Sequence, residues 1–157
     1  MDLIYRRAGA GDIDILTATR TLVLRTANGL DESADMSEVE RESRKYYEEC
    51  FSKDCHAAYL VYEGERVVGT GGISFYQVMP TYHNPSGWKA YVMNMYTHPD
   101  YRRRGIAYHM LELLAKEAGS RKISLIALEA TSMGRPLYEK FGFIPMEHEM
   151  ELPPQSR

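Results

Sequence analysis

One heptapeptide, Tyr101-Arg102-Arg103-Arg104-Gly105-Ile106-Ala107, carries the plainest chemistry in the chain. It follows a strand-like run and opens a helix-like one, with a glycine in the turn between them. A helix start of this kind leaves backbone N–H groups free and carries partial positive charge, which suits a phosphate. Three adjacent guanidinium groups add formal charge and forked donors suited to a pyrophosphate. The competing reading is a solvated run of surface charge. The position between a strand and an amphipathic helix, with small Ala107 allowing close approach of the backbone, favours an anion cradle. A second chemical group is the phenol of Tyr138, within Leu137-Tyr138-Glu139-Lys140-Phe141-Gly142-Phe143. Alone it reads equally well as packing beneath a C-terminal strand.

These residues can meet only if the surrounding elements bring them together. Residues 3–7 read as a strand. Asp12 is placed to cap a helix in which Ile15, Leu16, Thr19, Leu22 and Val23 recur at helical spacing, ended by Asn28-Gly29. Ser37-Glu38-Val39-Glu40 has the capping-box pattern and predicts a second helix to about Cys50. The period then changes to that of a hairpin, with strands over 57–62 and 66–75 about the turn Glu63-Gly64-Glu65. After a longer loop a strand is predicted over 89–97. Further elements are an amphipathic helix over 105–118, a short apolar strand over 123–128, a short helix over 136–140 and a last strand over 146–152. In that last strand Met146, His148, Met150 and Leu152 share a face. The order is that of a mixed α/β domain.

The chain has 157 residues, with 44% hydrophobic and 26% charged, the balance of a soluble domain with one core. We expect one domain over residues 1–152 and a flexible tail over 153–157. The net charge of -3 argues against binding nucleic acid through bulk charge. No apolar run approaches the ~18 residues of a membrane span, and the first residues lack an apolar signal core. Two cysteines, Cys50 and Cys55, are too few for a disulfide scaffold, and no His/Cys/Asp spacing suggests a metal site. These features predict a cytoplasmic protein with no metal and no membrane partner.

In order along the chain, three stretches together resemble the GNAT superfamily of acyl-CoA-dependent N-acetyltransferases. The first, Tyr91 to Tyr101, is similar to that family's fourth strand and its Pro-Asp-Tyr exit. The second, Arg102-x-x-Gly105-x-Ala107, fits its pyrophosphate signature, and the third is the block around Tyr138. The resemblance is sharp over about residues 89–152 and rests on element order alone before that. It implies a mixed central sheet of six to seven strands with helices on both faces, splayed between the fourth and fifth strands, and often a homodimer. It implies acetyl-CoA as co-substrate. Arg102, Arg103, Arg104, Gly105, Ile106, Ala107 and Tyr108 would hold the pyrophosphate. Main-chain groups of Met95, Tyr96 and Thr97 would hold the pantetheine arm. Many family members carry an asparagine for that arm where this chain has Thr131, whose hydroxyl is the replacement partner.

The reaction implied is attack of an amine on the thioester. The backbone near Met95 would stabilise the oxyanion, and Tyr138 would be the general acid toward the leaving thiolate. An amine of lysine type, with a pKa near 10.4, must first lose a proton. Glu129, His83 and a water chain are all candidates to take it. Asn94 stands where a number of relatives have an acidic residue; an amide can orient but not deprotonate. Tyr82, His83, Asn94 and Glu129 are the candidate acceptor-binding residues.

A small-molecule amine is the expected acceptor. Transfer to a protein lysine or N-terminus is the alternative, and a non-catalytic acyl-CoA-binding module is the alternative of another class. Whether the loop over 79–87 folds over the site or leaves it open bears on the choice between the first two.

Overall fold

Strand residues alternate between two apolar environments, and that alternation builds the molecule. In the computed structural model, which describes residues 2–155, β2 (His56–Glu63) sends Ala57 and Val61 to one side and Ala58 and Leu60 to the other. All four are buried. On the first side they pack with α3 (Ile106–Ser120) through Ile106, Met110, Leu111 and Leu114. On the second they pack with Leu16 of α1 (Ile13–Ala27) and Tyr47 of α2 (Ser37–Ser52). The sheet is therefore covered on both faces, and burying each layer's apolar stripe drives its assembly.

Among the described residues the sheet has five strands, in sequence order. β1 (Leu3–Arg7), β2, β3 (Arg66–Gln77) and β4 (Trp88–Thr97) pair antiparallel, and β5 (Ile126–Leu128) pairs parallel to β4. A short helix, α4 (Arg135–Phe141), follows. Element order agrees with expectation up to this point.

Three expectations are corrected. Residues 146–152 form no strand, so the sheet has five strands and not six to seven. The apolar face there is left exposed, with Met150 98% and Leu152 83% accessible. Alternation supplies a face but not a partner, and Pro145, Pro153 and Pro154 bracket the segment without donors. The strand predicted over 123–128 is half that length because Ile123 belongs to the end of α3. Lys122 takes φ 59°, its N–H donates to Gly119 O at 3.0 Å, and the Ile123 N–H donates to Ala118 O at 3.0 Å. This is a Schellman closure with its apolar residue buried, so apolar character there reports a helix end. The capping box does not form either: Ser37 is already helical, and its N–H donates to the Asp35 carboxylate at 2.9 Å. Of the predicted tail, 153–155 is irregular, and 156–157 lie outside the described residues.

The β3–β4 connection depends on Gly87. Its φ is +73°, and a Cβ there would lie 2.1 Å from the Val78 carbonyl oxygen. A left-handed L-residue alone costs about 1–2 kcal/mol. Gly87→Ala should therefore lower the melting temperature by at least about 2 °C in a chain of this size, and by more once the clash with Val78 is added. Gly9→Ala, whose new methyl meets nothing within 4 Å, serves as the control that should not. Equal melting temperatures for the two variants would refute the steric account.

Candidate active site

The cradle is built by a strand exit that turns twice. His98 accepts the Asp100 N–H at 3.1 Å and so caps a 3-10 turn, Pro99–Tyr101, which buries the Tyr101 ring. Arg103 then adopts φ 65° and Gly105 φ 81° before α3 begins. Left-handed residues in such a turn face backbone N–H groups into a shared concavity, a nest for an anion. No side chain caps the helix at Gly105. Ile106, Ala107 and Tyr108 occupy its first turn, where N–H groups have no intrahelical acceptor. Arg102, Arg103, Arg104 and Gly105 are all exposed, and a Cβ on Gly105 would meet nothing within 4 Å. Among the described residues, no side chain lies within 4 Å of a Cβ on Gly105, and the turn is solvent-exposed. Arg102 Nε donates to Thr97 O at 3.3 Å, tying the turn to the end of β4, and the Arg104 guanidinium stacks 5.0 Å from the Tyr101 ring centre.

β4 itself is irregular where it matters. Its register against β3 runs from Gly72↔Met93 to Thr70↔Tyr96, so one extra residue is absorbed on β4. Asn94 takes the left-handed φ of 58°, and its carbonyl accepts the Thr70 hydroxyl at 2.7 Å. A bulge of this kind re-aims the strand that follows. Ala90 and Val92 face α3 before it, and Met95 packs on that same core after it. On the other edge β5 pairs only with Ala90, Tyr91 and Val92, and no strand pairs there with residues 93–97 among the described residues.

Tyr138 lies on α4, half-buried, with its ring edge-on to Phe143 at 6.0 Å. It lines a cleft of about 330 Å³ with Ile126, Leu128, Ala130 and Phe143. Burial raises its pKa, so the phenol stays protonated at neutral pH. A larger open depression, about 540 Å³, lies between the end of α1 and the acidic loop and includes none of the expected site residues. Thr131 is exposed, and its hydroxyl accepts the Gly134 N–H at 3.1 Å, which shapes the turn into α4.

The expected acceptor residues are not all gathered. Asn94 is central. Glu129, at the end of β5, stands beside Tyr91, whose pKa is raised first by burial and then by that carboxylate. Tyr82 and His83 contact each other edge-on at 5.3 Å at the tip of the 79–87 loop, where Tyr82 is 92% exposed. Neither makes a hydrogen bond or ring contact to β4 or Tyr138 among the described residues.

Sequence reading missed the polar cluster on the opposite face of β4. Arg20 of α1 donates from Nη1 to Asn94 Oδ1 at 3.3 Å. Nearby, His56 Nδ1 lies 2.9 Å from the Tyr46 hydroxyl and 3.1 Å from Ser74 Oγ, which are 2.6 Å apart. The signal was present. Arg20 falls in phase with buried Leu16 and Val23, and His56 with buried Ala58 and Leu60. Cys50 and Cys55 are both free, and burial pushes the Cys50 thiol up to about 11.

The Acetyltransferase (GNAT) family profile matches residues 24–143. The fold is shared with solved structures over nearly the whole chain. A predicted acetyltransferase of Clostridium acetobutylicum, solved with acetyl-CoA, is 34% identical, with a TM-score of 0.88 over 97% of this chain and 96% of that one. A GCN5-related N-acetyltransferase of Ralstonia eutropha JMP134 is 23% identical, with a TM-score of 0.82 over 97% and 98%. An aminoglycoside N-acetyltransferase, AAC(6')-Iy, solved with CoA, is 11% identical, with a TM-score of 0.75 over 99% and 96%. No curated protein matches. The chain belongs to the GNAT acetyltransferase family and is an acyltransferase.

Proposed function

We propose that this protein, acting as a single domain over residues 1–152, transfers an acetyl group from acetyl-CoA to the amine of a small molecule. The observation that carries this reading is the open turn from Arg102 to Gly105, whose nest and exposed guanidinium groups fit a diphosphate. Acetyl-CoA supplies an activated thioester. Backbone N–H groups from Ile106 to Tyr108, with Arg102, Arg103 and Arg104, hold its anionic end. The free edge of β4 at Met95, Tyr96 and Thr97 offers backbone partners to an extended arm, because unpaired strand groups need them. The end of β5 pairing at Val92 and Leu128 supports a splay between the two strands at that point. Thr131 is a further candidate contact, through whichever hydroxyl capacity its turn leaves free.

In the chemical step the amine nitrogen bonds the acetyl carbon and the carbon–sulfur bond breaks. The backbone beyond the Asn94 bulge, at Met95, stabilises charge on the carbonyl oxygen. Tyr138 gives its proton to the departing sulfur, and the proton released by the amine returns the phenol to its starting state through Glu129 or water. His83, beside Tyr82 on the preceding loop, is the third candidate to take that proton.

One observation favours the alternative, transfer to a protein lysine or N-terminus. The 79–87 loop is exposed, with Met79 84% and Tyr82 92% accessible, as the rim of an open acceptor groove would be. The test is thiol release from acetyl-CoA with a panel of small amines beside lysine-containing and free N-terminal peptides. Release with small amines is expected. Release only with peptides would move the assignment to the second reading, and tight CoA binding without transfer to any acceptor would favour a binding module.

A further inference from the structure

Most of the arginines fixed against this fold have a carboxylate. Arg6 pairs with Asp12, Arg7 with Glu117, Arg44 with Asp14, Arg121 with Asp54 and Arg135 with Glu139. Arg20 does not. It projects from the sheet-facing stripe of α1, is partly buried, and has as its hydrogen-bond partner the neutral amide of Asn94. Among the described residues it makes no ion pair. A guanidinium carries five donors that cannot be silenced by deprotonation, so removing it partly from water without an anion leaves most of them unserved by protein. Its charge is felt across the face: it disfavours protonation of His56 from β2 and favours ionisation of Tyr47 from α2. Neither neighbour offers it a negative charge at neutral pH.

The position of this cation is specific. Asn94 is the bulge residue, one position before Met95. Glu129 directly follows β5, whose register ends at Val92↔Leu128, two residues before Asn94, and its carboxylate acts on Tyr91 of the same strand. The region of β4 where transfer would occur therefore has a cation held at Asn94 and a carboxylate on the strand edge beside it. We propose that Arg20 is the anion-binding residue of the acceptor site, and that the acceptors are amines that also carry an acidic group, a carboxylate in the first instance. This rests on the acetyl-transfer reading above. The guanidinium forks to the acid group while Glu129 draws the ammonium end, so the nitrogen is held along β4. A polycationic acceptor would meet Arg20 as a repulsion.

The test compares matched amines with and without a carboxylate, γ-aminobutyrate against butylamine and phenylalanine against phenethylamine, by thiol release from acetyl-CoA. The wild-type protein should favour the acid-bearing member of each pair. Arg20→Gln should cut kcat/KM for the acid-bearing amines by about 10- to 100-fold, the worth of a hydrogen bond to a charged group. The loss should fall mainly in KM and should be far smaller for the plain amines; Arg20→Lys should restore part of it. Calorimetric titration with acetyl-CoA checks that Arg20→Gln is folded. If that variant does not fold, butyrate as an inhibitor of the wild-type protein, competitive with the amine and not with acetyl-CoA, takes its place. Equal losses for both members of a pair, no wild-type preference, or no competition by butyrate would overturn the anion site while leaving acetyl transfer standing. No thiol release with any amine would instead remove the transfer reading, and this proposal with it.

Discussion

Tyr138→Phe is expected to lower kcat with the true acceptor by about 10²–10⁴-fold, the usual contribution of a placed general acid. The substitution separates chemistry from folding. The Tyr138 hydroxyl has no protein hydrogen-bond partner among the described residues, and what the ring does for the fold is contact Phe143 and the α3 core. Phenylalanine keeps those contacts, so melting temperature and acetyl-CoA affinity should stay close to wild type. Burial raises the phenol's pKa above its ordinary value of 10.0. The acid form is therefore present across the neutral range, and wild-type turnover should show no alkaline loss attributable to this group until the pH passes that value. A thiol pKa near 8.5 means that solvent can also protonate the leaving group, which is why the lower end of the range is realistic. A Tyr138→Phe protein that keeps most of its turnover across pH would show that water, and not the phenol, supplies the proton.

What could be read from sequence is what local chemistry determines. The Arg102–Gly105 turn announces itself because strand exit, proline, positive-φ glycine and helix start are consecutive residues. The alternation of β2 and the stripe of α3 likewise need no partner to be seen. Features that depend on a partner were misread. Residues 146–152 alternate like a strand but find no strand to pair with, and Ile123 is apolar because it closes a helix. The bulge at Asn94 is silent in sequence, since asparagine is only one of several residues that tolerate φ near +60°. Arg20 and His56 were visible as polar residues in apolar phase. Their meaning appears only when α1, α2, β2 and β4 bring them to one face.

That face should make the protein acid-labile. His56 is 5% exposed and neutral, with a pKa lowered to about 4, first by burial and then by the Arg20 cation. Tyr46, Tyr47 and Phe51 of α2 and Ser74 of β3 surround it, none of them a carboxylate. Its Nε2 is buried without a hydrogen-bond partner and faces the Cα of Gly72, where a Cβ would come within 2.9 Å. Protonation would charge the ring and make both its nitrogens donors, and Nε2 has no acceptor among the described residues. In the unfolded chain the same histidine titrates near 6.5. The unfolded state therefore binds the extra proton first as pH falls, and stability declines between about 6.5 and 4. The loss should reach about 2 kcal/mol by pH 5 and about 3 kcal/mol below pH 4, a large part of a typical domain's 5–15 kcal/mol. Urea midpoints at pH 7.5 and pH 5 measure it. Surface carboxylates titrate in the lower part of that window in every variant, so the informative quantity is the difference between wild type and His56→Gln. The wild-type midpoint should drop much more than that of the variant. Parallel declines would mean that His56 protonates in place, which would require the Tyr46, Ser74 and Arg20 arrangement around it to open toward water and would make the α1/α2 face a solvated surface instead of a packed one.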